Sequence, residues 1–557
     1  MFSSRVFLTS LSLFLTVGLA NFAAVEASTN AYAPVTTTCP TTTLLRSATG
    51  LNSEEAQYRE NRKKLADGAL KRWLSKTSTG FQTEDVELPT IALATSGGSY
   101  RALLTGAGII QALDERDSNV STSGLFQAIT YQSGLSGGSW LLPSFAGNNW
   151  PTITLLKDSF WLDSFSNGLL APQNLSLVDV YNQVIQDLLA KSAAGYEPTL
   201  TDSWGRLLSY QLFPGPDYGR GLEMSALVSL SNFTNCMVPF PIITALGVKT
   251  WEGQCMPGPN ATQYEFTPIE FGSWDNDVSG FADLKYLGTS MSDGKPVAED
   301  KCTTNFDNLG FVLGTSSNLF NYLCVSAPQN AYDFLTPEII STLEDLLDDV
   351  HQQTFRDEYA VYPNPFRNWN SSTGIFNDAN PVSNQEELYI VDGGDALQSN
   401  PIWPMLQPER GVDVLLVNDN AADTKTNYPN GSEILMTYVE SFNQNLTRMP
   451  YIPSMEIFLD EGLNTRATFF GCDDADKITI VYLPNYNFTY PSGQWTYKLE
   501  YTRDETNGMI NNGMAVATQN DTDEGWGTCI GCAIMGKAGA GLPAECDACF
   551  QKYCYRS

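Results

Sequence analysis

Two strand–turn–helix units follow one another early in this chain, and each turn is rich in glycine. The first strand, residues 90–95, runs into Ser96-Gly97-Gly98-Ser99-Tyr100 and then into a helical pattern over residues 101–113. The second strand, residues 125–131, leads to Gly134-Leu135-Ser136-Gly137-Gly138 and a further helix start. Repeated units of this kind are typical of a parallel sheet covered by helices. The sequence therefore predicts an α/β fold.

Ser136 is the candidate nucleophile. It occupies the centre of a G-x-S-x-G pattern between a strand and a helix, which exposes a serine on a tight turn. A Ser-His-Asp triad would need the chain's single histidine, His351. That residue closes the amphipathic helix predicted over residues 339–350, where a histidine is favoured by the helix dipole. The base is therefore sought among the carboxylates.

Asp392 is the candidate base. It directly follows the strand predicted over residues 388–391, and we expect it at the carboxyl end of a parallel strand, where open α/β sheets bind ligands. Read locally, Asp392-Gly393-Gly394 also fits an ordinary turn or a helix cap.

The turn Gly97-Gly98-Ser99 is the candidate anion site, because its N–H groups lie at a helix N-terminus. Arg101 adds positive charge where the helix dipole is already positive, which an anion there would offset. An ordinary βα turn and a surface arginine remain the alternatives.

The charge balance excludes some partners. The chain has 62 acidic and 31 basic residues among 557, a net charge of −31. Binding to nucleic acid or to anionic membranes through a basic patch is therefore not expected. The hydrophobic content of 42% is ample for a large core.

The amino terminus predicts export. Residues 1–27 contain a basic residue, an apolar stretch and small residues, as secretory signal peptides do. The carboxyl terminus lacks the hydrophobic tail of a GPI signal. We expect a secreted, extracellular protein that stays in the cell wall or periplasm or diffuses away.

The cysteines agree with export. Eleven are present, and five of them crowd the last thirty residues in a C-x2-C-x13-C-x2-C-x4-C pattern. This spacing also resembles a zinc site, but an oxidising compartment favours disulfides and leaves one cysteine unpaired or joined to another chain.

Sequons add a prediction of N-glycosylation. The candidate acceptors are Asn119, Asn174, Asn232, Asn260, Asn370, Asn430, Asn445, Asn487 and Asn520.

The predicted domains are a signal peptide (1–27), a catalytic domain (28–524) and a cysteine-rich tail (525–557). Within the catalytic domain, residues 145–300 are rich in Trp, Pro and Asn with weak periodicity, and they are predicted to form a cap or lid insertion. Regular α/β patterning returns near residues 310–314, 387–391 and 412–417.

Three motifs carry a family resemblance. Ser96-Gly97-Gly98-Ser99-Tyr100-Arg101-Ala102, Gly134-Leu135-Ser136-Gly137-Gly138-Ser139-Trp140 and Asp392-Gly393-Gly394 resemble the motifs of the fungal phospholipase B (lysophospholipase) family. That family is related to the catalytic domain of the cytosolic phospholipases A. Further similarity, including Gly314-Thr315-Ser316-Ser317, extends over nearly the whole chain after the predicted signal peptide.

The resemblance implies a three-layer α/β/α, patatin-like domain and a Ser-Asp dyad. By motif, Ser136 is the nucleophile, Asp392 the base, Gly98 and Ser99 the oxyanion donors, and Arg101 the ligand of a lipid phosphate. Ser99 stands where the family usually has a third glycine, which adds a Cβ near the oxyanion.

The implied substrates are phospholipids and lysophospholipids in micelles or membranes, with no metal and no cofactor. Docking on such an aggregate needs apolar surface, and residues 145–300 are the candidate. Two alternatives are a secreted carboxylesterase or neutral lipase and an inactive cell-wall glycoprotein.

Overall fold

The computed structural model describes residues 30–172, 175–324, 336–369, 381–539 and 542–556. The predicted signal peptide and the sequons at Asn174 and Asn370 lie outside the described residues.

The strands are short. In chain order they are β1 (Val35–Thr37), β2 (Leu45–Ser47), β3 (Ile91–Thr95), β4 (Ile129–Gly134), β5 (Phe240–Gly247), β6 (Gln263–Phe266), β7 (Glu270–Ser273), β8 (Gly280–Asp283), β9 (Met291–Ser292), β10 (Lys295–Pro296), β11 (Cys302–Thr304), β12 (Ala360–Pro363), β13 (Glu387–Val391), β14 (Val414–Asp419), β15 (Thr468–Phe470) and β16 (Thr479–Pro484).

The α-helices vary more in length. They are α1 (Ser53–Thr77), α2 (Ser99–Leu113), α3 (Gly137–Ala146), α4 (Ile153–Leu156), α5 (Leu162–Ser164), α6 (Leu177–Ala193), α7 (Leu200–Leu212), α8 (Ser231–Thr234), α9 (Leu309–Ser316), α10 (Pro337–Asp348), α11 (Trp403–Leu406), α12 (Ser432–Asn443), α13 (Met455–Asp460), α14 (Arg503–Thr518), α15 (Trp526–Met535) and α16 (Glu545–Tyr553). None of the helices in the described ranges combines the length and the apolar character that a bilayer crossing needs.

The central sheet is mixed. Across the described residues it has twelve strands, ordered β15-β16-β14-β3-β4-β5-β6-β7-β8-β2, with β13 pairing to β5 and β12 to β13. Five neighbours, β16, β14, β3, β4 and β5, run parallel. Every residue of β3 and β14 is buried, as strands covered by helices on both faces require. The predicted α/β fold is confirmed.

The carboxyl ends of the parallel strands define one edge of the sheet. β3 ends at Thr95, β4 at Gly134 and β14 at Asp419, and these strands are in register. Because each of the three is followed by a turn, the turns that begin at Ser96, Leu135 and Asn420 lie side by side.

β13 corrects one prediction. It is antiparallel to β5, so Asp392 does not follow a parallel strand. Its register pairs Val391 with Leu246, near the end of β5. β5 extends four residues past Ile243, the residue that pairs with Gly134. β13 pairs with this extension and runs back along it towards the end of β4, so Asp392, the residue after β13, still lies near the turn that follows β4.

The predicted cap over residues 145–300 also needs correction. The later part of this range forms β5 to β8, which are strands of the central sheet. The weak periodicity has a physical reason, because these strands are buried on both faces and so lack a polar–apolar alternation. Only the earlier part of the range is mainly helical, over α4 to α8.

Five disulfides are present among the described residues, as the cysteine pattern predicted. They are Cys39–Cys302, Cys255–Cys324, Cys472–Cys554, Cys529–Cys549 and Cys532–Cys546. The odd cysteine, Cys236, is free and buried. Two of the disulfides join α15 to α16, and Cys472–Cys554 ties the end of α16 to the segment after β15, so the cysteine-rich tail is bound to an edge of the sheet.

Candidate active site

Ser136 lies on the predicted strand–turn–helix unit. β4 ends at Gly134, Ser136 is the N-cap of α3, and its backbone has φ 52° and ψ −118°. A non-glycine residue in this region is strained by about 1–3 kcal/mol, a cost typical of functional sites. The Ser136 amide donates to the Ser316 hydroxyl at 3.0 Å, which helps to hold the turn.

The three predicted motifs meet at glycines. A Cβ on Gly137 would lie 2.1 Å from the carbonyl oxygen of Ser99, and a Cβ on Gly393 would lie 2.1 Å from Cδ1 of Leu135. Gly137 therefore requires glycine, since it meets the backbone of the neighbouring turn, whereas Gly393 packs against the end of the Leu135 side chain, which can shift. The prediction that the motifs form one site is consistent with this packing.

Asp392 faces Ser136 in a buried position. Its amide donates to the Asn318 carbonyl at 2.9 Å, and its Oδ1 accepts the Gly394 amide at 2.8 Å. Burial raises the pKa of Asp392 to about 7, although hydrogen bonding from the Ser136 side chain and from Gly394 opposes that rise. A carboxylate with a pKa near neutrality is a much better base than an ordinary aspartate.

The glycine turn presents two backbone donors. The Gly97 amide already donates to the Ser399 carbonyl at 2.9 Å, so it has no free N–H for a ligand. In the described part of the chain, neither the Gly98 nor the Ser99 amide donates to a protein carbonyl. Ser99 is left-handed, with φ 50°, at the position where a glycine would be unstrained. Gly98 and Ser99 thus remain as candidate oxyanion donors.

Arg101 is buried beneath this turn. Its Nε donates to the Asn420 carbonyl at 2.8 Å, and its Nη1 donates to the Gln494 carbonyl at 2.5 Å and to Thr496 Oγ1 at 3.2 Å. Its Nη2 lies beside Gly98, 2.8 Å from where a Cβ would be. Burial lowers the pKa of Arg101 to about 10, so it remains charged at neutral pH. Arg101 therefore ties two loops to the turn and leaves Nη2 at the site.

His351 lies elsewhere, as predicted. It follows α10, and its Nε2 lies 3.3 Å from both carboxylate oxygens of Asp357. The Asp357 carboxylate also accepts the Thr354 amide and so caps a short helical turn. His351 thus has a carboxylate partner near it in the sequence, whereas the Asp392 carboxyl accepts a hydrogen bond from the Ser136 side chain.

Residues without a predicted role complete the site. Ser316 supports Ser136, the Asn318 carbonyl holds the Asp392 amide, and the Ser399 carbonyl holds Gly97. Ser316 and Asn318 belong to or adjoin the Gly314-Thr315-Ser316-Ser317 motif, so a sequence signal for them existed. Asp395 is a second carboxyl beside Asp392; burial, then the charge of Asp392, raises its pKa well above the usual range.

Seven of the predicted sequons lie in the described residues. Five have exposed asparagines: Asn119, Asn260, Asn445, Asn487 and Asn520. Asn232 and Asn430 are half-buried; Asn232 Nδ2 donates to the Asn149 carbonyl at 2.7 Å, and Asn430 Oδ1 accepts the Ser432 amide at 2.8 Å.

A serine on a strained strand-to-helix turn, beside a buried carboxylate and free backbone donors, is the arrangement of a serine hydrolase. The family model of the lysophospholipase catalytic domain matches residues 91–557. The chain is 38% identical over 564 residues to lysophospholipase 1 of Aspergillus fumigatus, covering 94% of this chain and 87% of the relative. It is 35% identical over 570 residues to lysophospholipase 3 of Saccharomyces cerevisiae, covering 95% and 81%.

The fold has a relative among solved structures. Human GIVD cytosolic phospholipase A2 matches with a TM-score of 0.67 at 16% identity, covering 91% of this chain and 72% of that chain. This chain belongs to the lysophospholipase catalytic-domain family and is an enzyme of that family. The predicted family resemblance is confirmed.

Proposed function

We propose that this protein is a lysophospholipase and phospholipase B that hydrolyses acyl ester bonds through a Ser136–Asp392 dyad. The observation that carries the proposal is the pairing of a strained serine with a buried aspartate whose pKa is raised to about 7. Family membership supports the substrate class, since the matched relatives are named lysophospholipases.

In the first half-reaction, Ser136 Oγ attacks the ester carbonyl carbon while Asp392 accepts the hydroxyl proton. The carbonyl oxygen becomes an oxyanion and accepts hydrogen bonds from the Gly98 and Ser99 amides. The tetrahedral intermediate then collapses with loss of the glycerol oxygen, which takes the proton from Asp392. A glycerophospho-compound leaves, and the acyl chain remains on Ser136.

In the second half-reaction, Asp392 accepts a proton from water as the water attacks the acyl carbonyl. The same amides stabilise the second oxyanion. Collapse breaks the bond to Ser136 Oγ, which regains its proton from Asp392, and the fatty acid is released. Asp392 thus acts once as base and once as acid in each half-reaction.

Arg101 Nη2 supplies a positive group for the substrate phosphate in this proposal. Its other donors are held by protein acceptors, so its position is fixed before the substrate arrives. A preorganised cation binds an anion without a large cost in side-chain entropy.

Export is a further part of the proposal. Five disulfides support an oxidising compartment, since such bonds are rare in the cytosol. The exposed sequons are consistent with a secreted glycoprotein.

Fatty-acid release from lysophosphatidylcholine and phosphatidylcholine tests the function, with EDTA present. Wild type is compared with Ser136→Ala and Asp392→Asn. Ser144→Ala is the matched control, because this buried serine on the same helix loses a hydrogen bond to the Leu212 carbonyl at a distance from the dyad.

We expect release by wild type and Ser144→Ala, and a loss of at least about a thousandfold in both dyad variants. Equal release by Ser136→Ala would refute the dyad. If folded wild type releases fatty acid from neither of the two lipids but still hydrolyses simple esters, the protein is a carboxylesterase instead.

A further inference from the structure

One surface beside the site combines exposed apolar side chains with a loop that has no carboxylate. Residues 485–499, the loop after β16, contain five aromatic residues, one lysine and no carboxylate. In this loop Trp495 is 45% exposed, and Leu397 is 52% exposed on the loop that follows Asp392. We call Trp495 and Leu397 together the apolar rim.

The apolar rim is attached directly to the catalytic groups. Both neighbours of Trp495 are held by Arg101, through the Gln494 carbonyl and the Thr496 hydroxyl. Leu397 lies between Asp392 and Ser399, and the Ser399 carbonyl holds Gly97 in the oxyanion turn. The rim therefore borders the site at the edge where the parallel strands end.

Leu397 is unusual in two respects. Its backbone is left-handed, with φ 57° and ψ 36°, which is unfavourable for leucine, and its side chain is exposed to water. Both features cost free energy in the isolated protein. A cost held beside an active site is consistent with a partner that covers the side chain.

The region predicted for docking exposes several aliphatic side chains, such as Val178, which is 67% exposed. Within the described residues of the range 145–300, no aromatic side chain is exposed, and residues such as Trp150, Trp161 and Phe213 belong to the core. The many aromatic residues of this range pack in the core, and composition alone could not distinguish core packing from a docking surface.

We propose that the apolar rim docks the enzyme on the surface of a lipid aggregate, an inference that rests on the proposed function. An indole is amphipathic and favours the boundary between headgroups and acyl chains. The absence of carboxylates from the loop, in a chain with net charge −31, spares the loop repulsion from the phosphates of the headgroups. Two side chains cannot supply the roughly 800 Å² per partner of a stable dimer, but they can insert into lipid.

Binding to phosphatidylcholine vesicles tests the proposal. The parent is the Ser136→Ala protein, so that the vesicles stay intact, and it carries in turn Trp495→Ala, Trp495→Phe or Leu397→Ala. The matched control is Phe442→Ala, which removes a side chain that is 67% exposed. Phe442 is remote from the rim: Glu433, near the start of α12, bonds the Ser399 amide, and Phe442 lies about 14 Å further along that helix.

We expect Trp495→Ala and Leu397→Ala to weaken vesicle binding about tenfold each, whereas Trp495→Phe and Phe442→Ala bind nearly as the parent does. Unchanged binding by Trp495→Ala and Leu397→Ala, with unchanged melting temperatures, would overturn the proposal. Light scattering measures the oligomeric state and can also refute the proposal. If the parent is a dimer and Trp495→Ala makes it a monomer, the rim binds a second copy of the chain and not lipid.

The two proposals fail separately. If the wild-type protein hydrolyses no lipid, but Trp495→Ala and Leu397→Ala still weaken vesicle binding, the proposed function fails and the docking role of the rim stands. If the wild-type protein hydrolyses lipid, and the rim substitutions change neither vesicle binding in the Ser136→Ala background nor hydrolysis in the wild-type background, the docking role of the rim fails and the proposed function stands.

Discussion

The Ser316 hydroxyl accepts the backbone amide of Ser136 at 3.0 Å and donates to the Thr244 carbonyl at 2.7 Å. It thereby connects the strained turn after β4 to strand β5. A buried amide without an acceptor costs about 1–3 kcal/mol, so this hydroxyl helps to offset the strain of φ 52° at Ser136. In the proposed mechanism Ser316 is a positioning residue, since it acts on the reacting atoms through Ser136.

Removing that hydroxyl tests the role. We expect Ser316→Ala to lower kcat by about 10- to 100-fold while KM changes little, because the nucleophile is misplaced and the substrate contacts remain. Steady-state kinetics on a soluble ester give both constants.

Ser317→Ala is the control for this prediction. Its hydroxyl is equally buried and accepts the indole N–H groups of Trp140 and Trp204, but it does not contact the Ser136 amide. A loss of stability in both variants with a loss of kcat only in Ser316→Ala supports positioning. Equal kcat losses would show a general packing effect.

The pH dependence of turnover follows from Asp392. In the proposed dyad Asp392 must be ionised to act as the base, and burial raises its pKa to about 7. Raising the pH increases the ionised fraction, so kcat/KM on an uncharged soluble ester is expected to rise about tenfold per pH unit below 7 and to level off above it. A profile that is flat from pH 4 to 8 would contradict the raised pKa.

Stability should change with pH in the opposite direction. Burial raises the pKa of Asp275, Asp307, Asp392 and Glu358 to about 7 in the folded protein. Between about pH 4 and 7 the folded state binds more protons than the unfolded state, so stability is lost as the pH rises through that window. We expect a melting temperature about 5 °C or more higher at pH 5 than at pH 7.5.

Asp307 offers a matched pair for that measurement. Its Oδ2 accepts the Ser225 amide, and its Oδ1 is buried with no hydrogen-bond partner among the described residues. Asp307→Asn keeps an acceptor and removes the titration, so it should flatten the dependence, whereas Glu60→Gln, on an exposed side chain, should not. A melting temperature that rises with pH would refute the assignment.

The sequence specified the site better than the sheet. The turn that carries Ser136 could be predicted because a strand, a glycine turn and a helix are contiguous, and the catalytic roles of Ser136 and Asp392 stay predictions. The direction of β13 could not be predicted, since pairing between β5 and β13 joins residues far apart in the chain. Strands β5 to β8 were missed for a related reason, because strands buried on both faces show no alternation.

Some of the supporting contacts were also beyond local patterns. Ser399 and Asn420 act through their backbone carbonyls, which any residue carries, so no residue type could signal them. The exposure of Trp495 could not be predicted either, because aromatic residues lie in the core far more often than at the surface.

Ser99→Gly tests the departure from the usual third glycine. Ser99 has φ 50°, so glycine should relieve backbone strain and change the free energy of unfolding by no more than about 1 kcal/mol. Because the amide remains and only the side chain is lost, kcat should be retained or rise, most of all for bulky acyl chains. Thermal melts and kinetics on short and long acyl chains measure both effects, and a tenfold loss of kcat on all chains would show that the Ser99 hydroxyl takes part in turnover.

Substitution of Arg101 tests whether this residue binds the phosphate of the substrate. Its Nη2 lies beside Gly98, whereas Nε and Nη1 are held by Asn420, Gln494 and Thr496. Arg101→Lys keeps a charge but cannot make the planar set of bonds. We therefore expect Arg101→Lys and Arg101→Ala to lose about a hundredfold or more in kcat/KM on lysophosphatidylcholine.

The comparison substrate is a monoacylglycerol with the same acyl chain, which lacks the phosphate. If Arg101 binds phosphate, the loss on monoacylglycerol is smaller by at least about tenfold, since only the support of the turn is affected. Equal losses on both substrates would confine Arg101 to holding the loops. In that case Arg101 does not bind phosphate, even though the enzyme needs it, because the lost interaction supports the hydrolysis of both substrates.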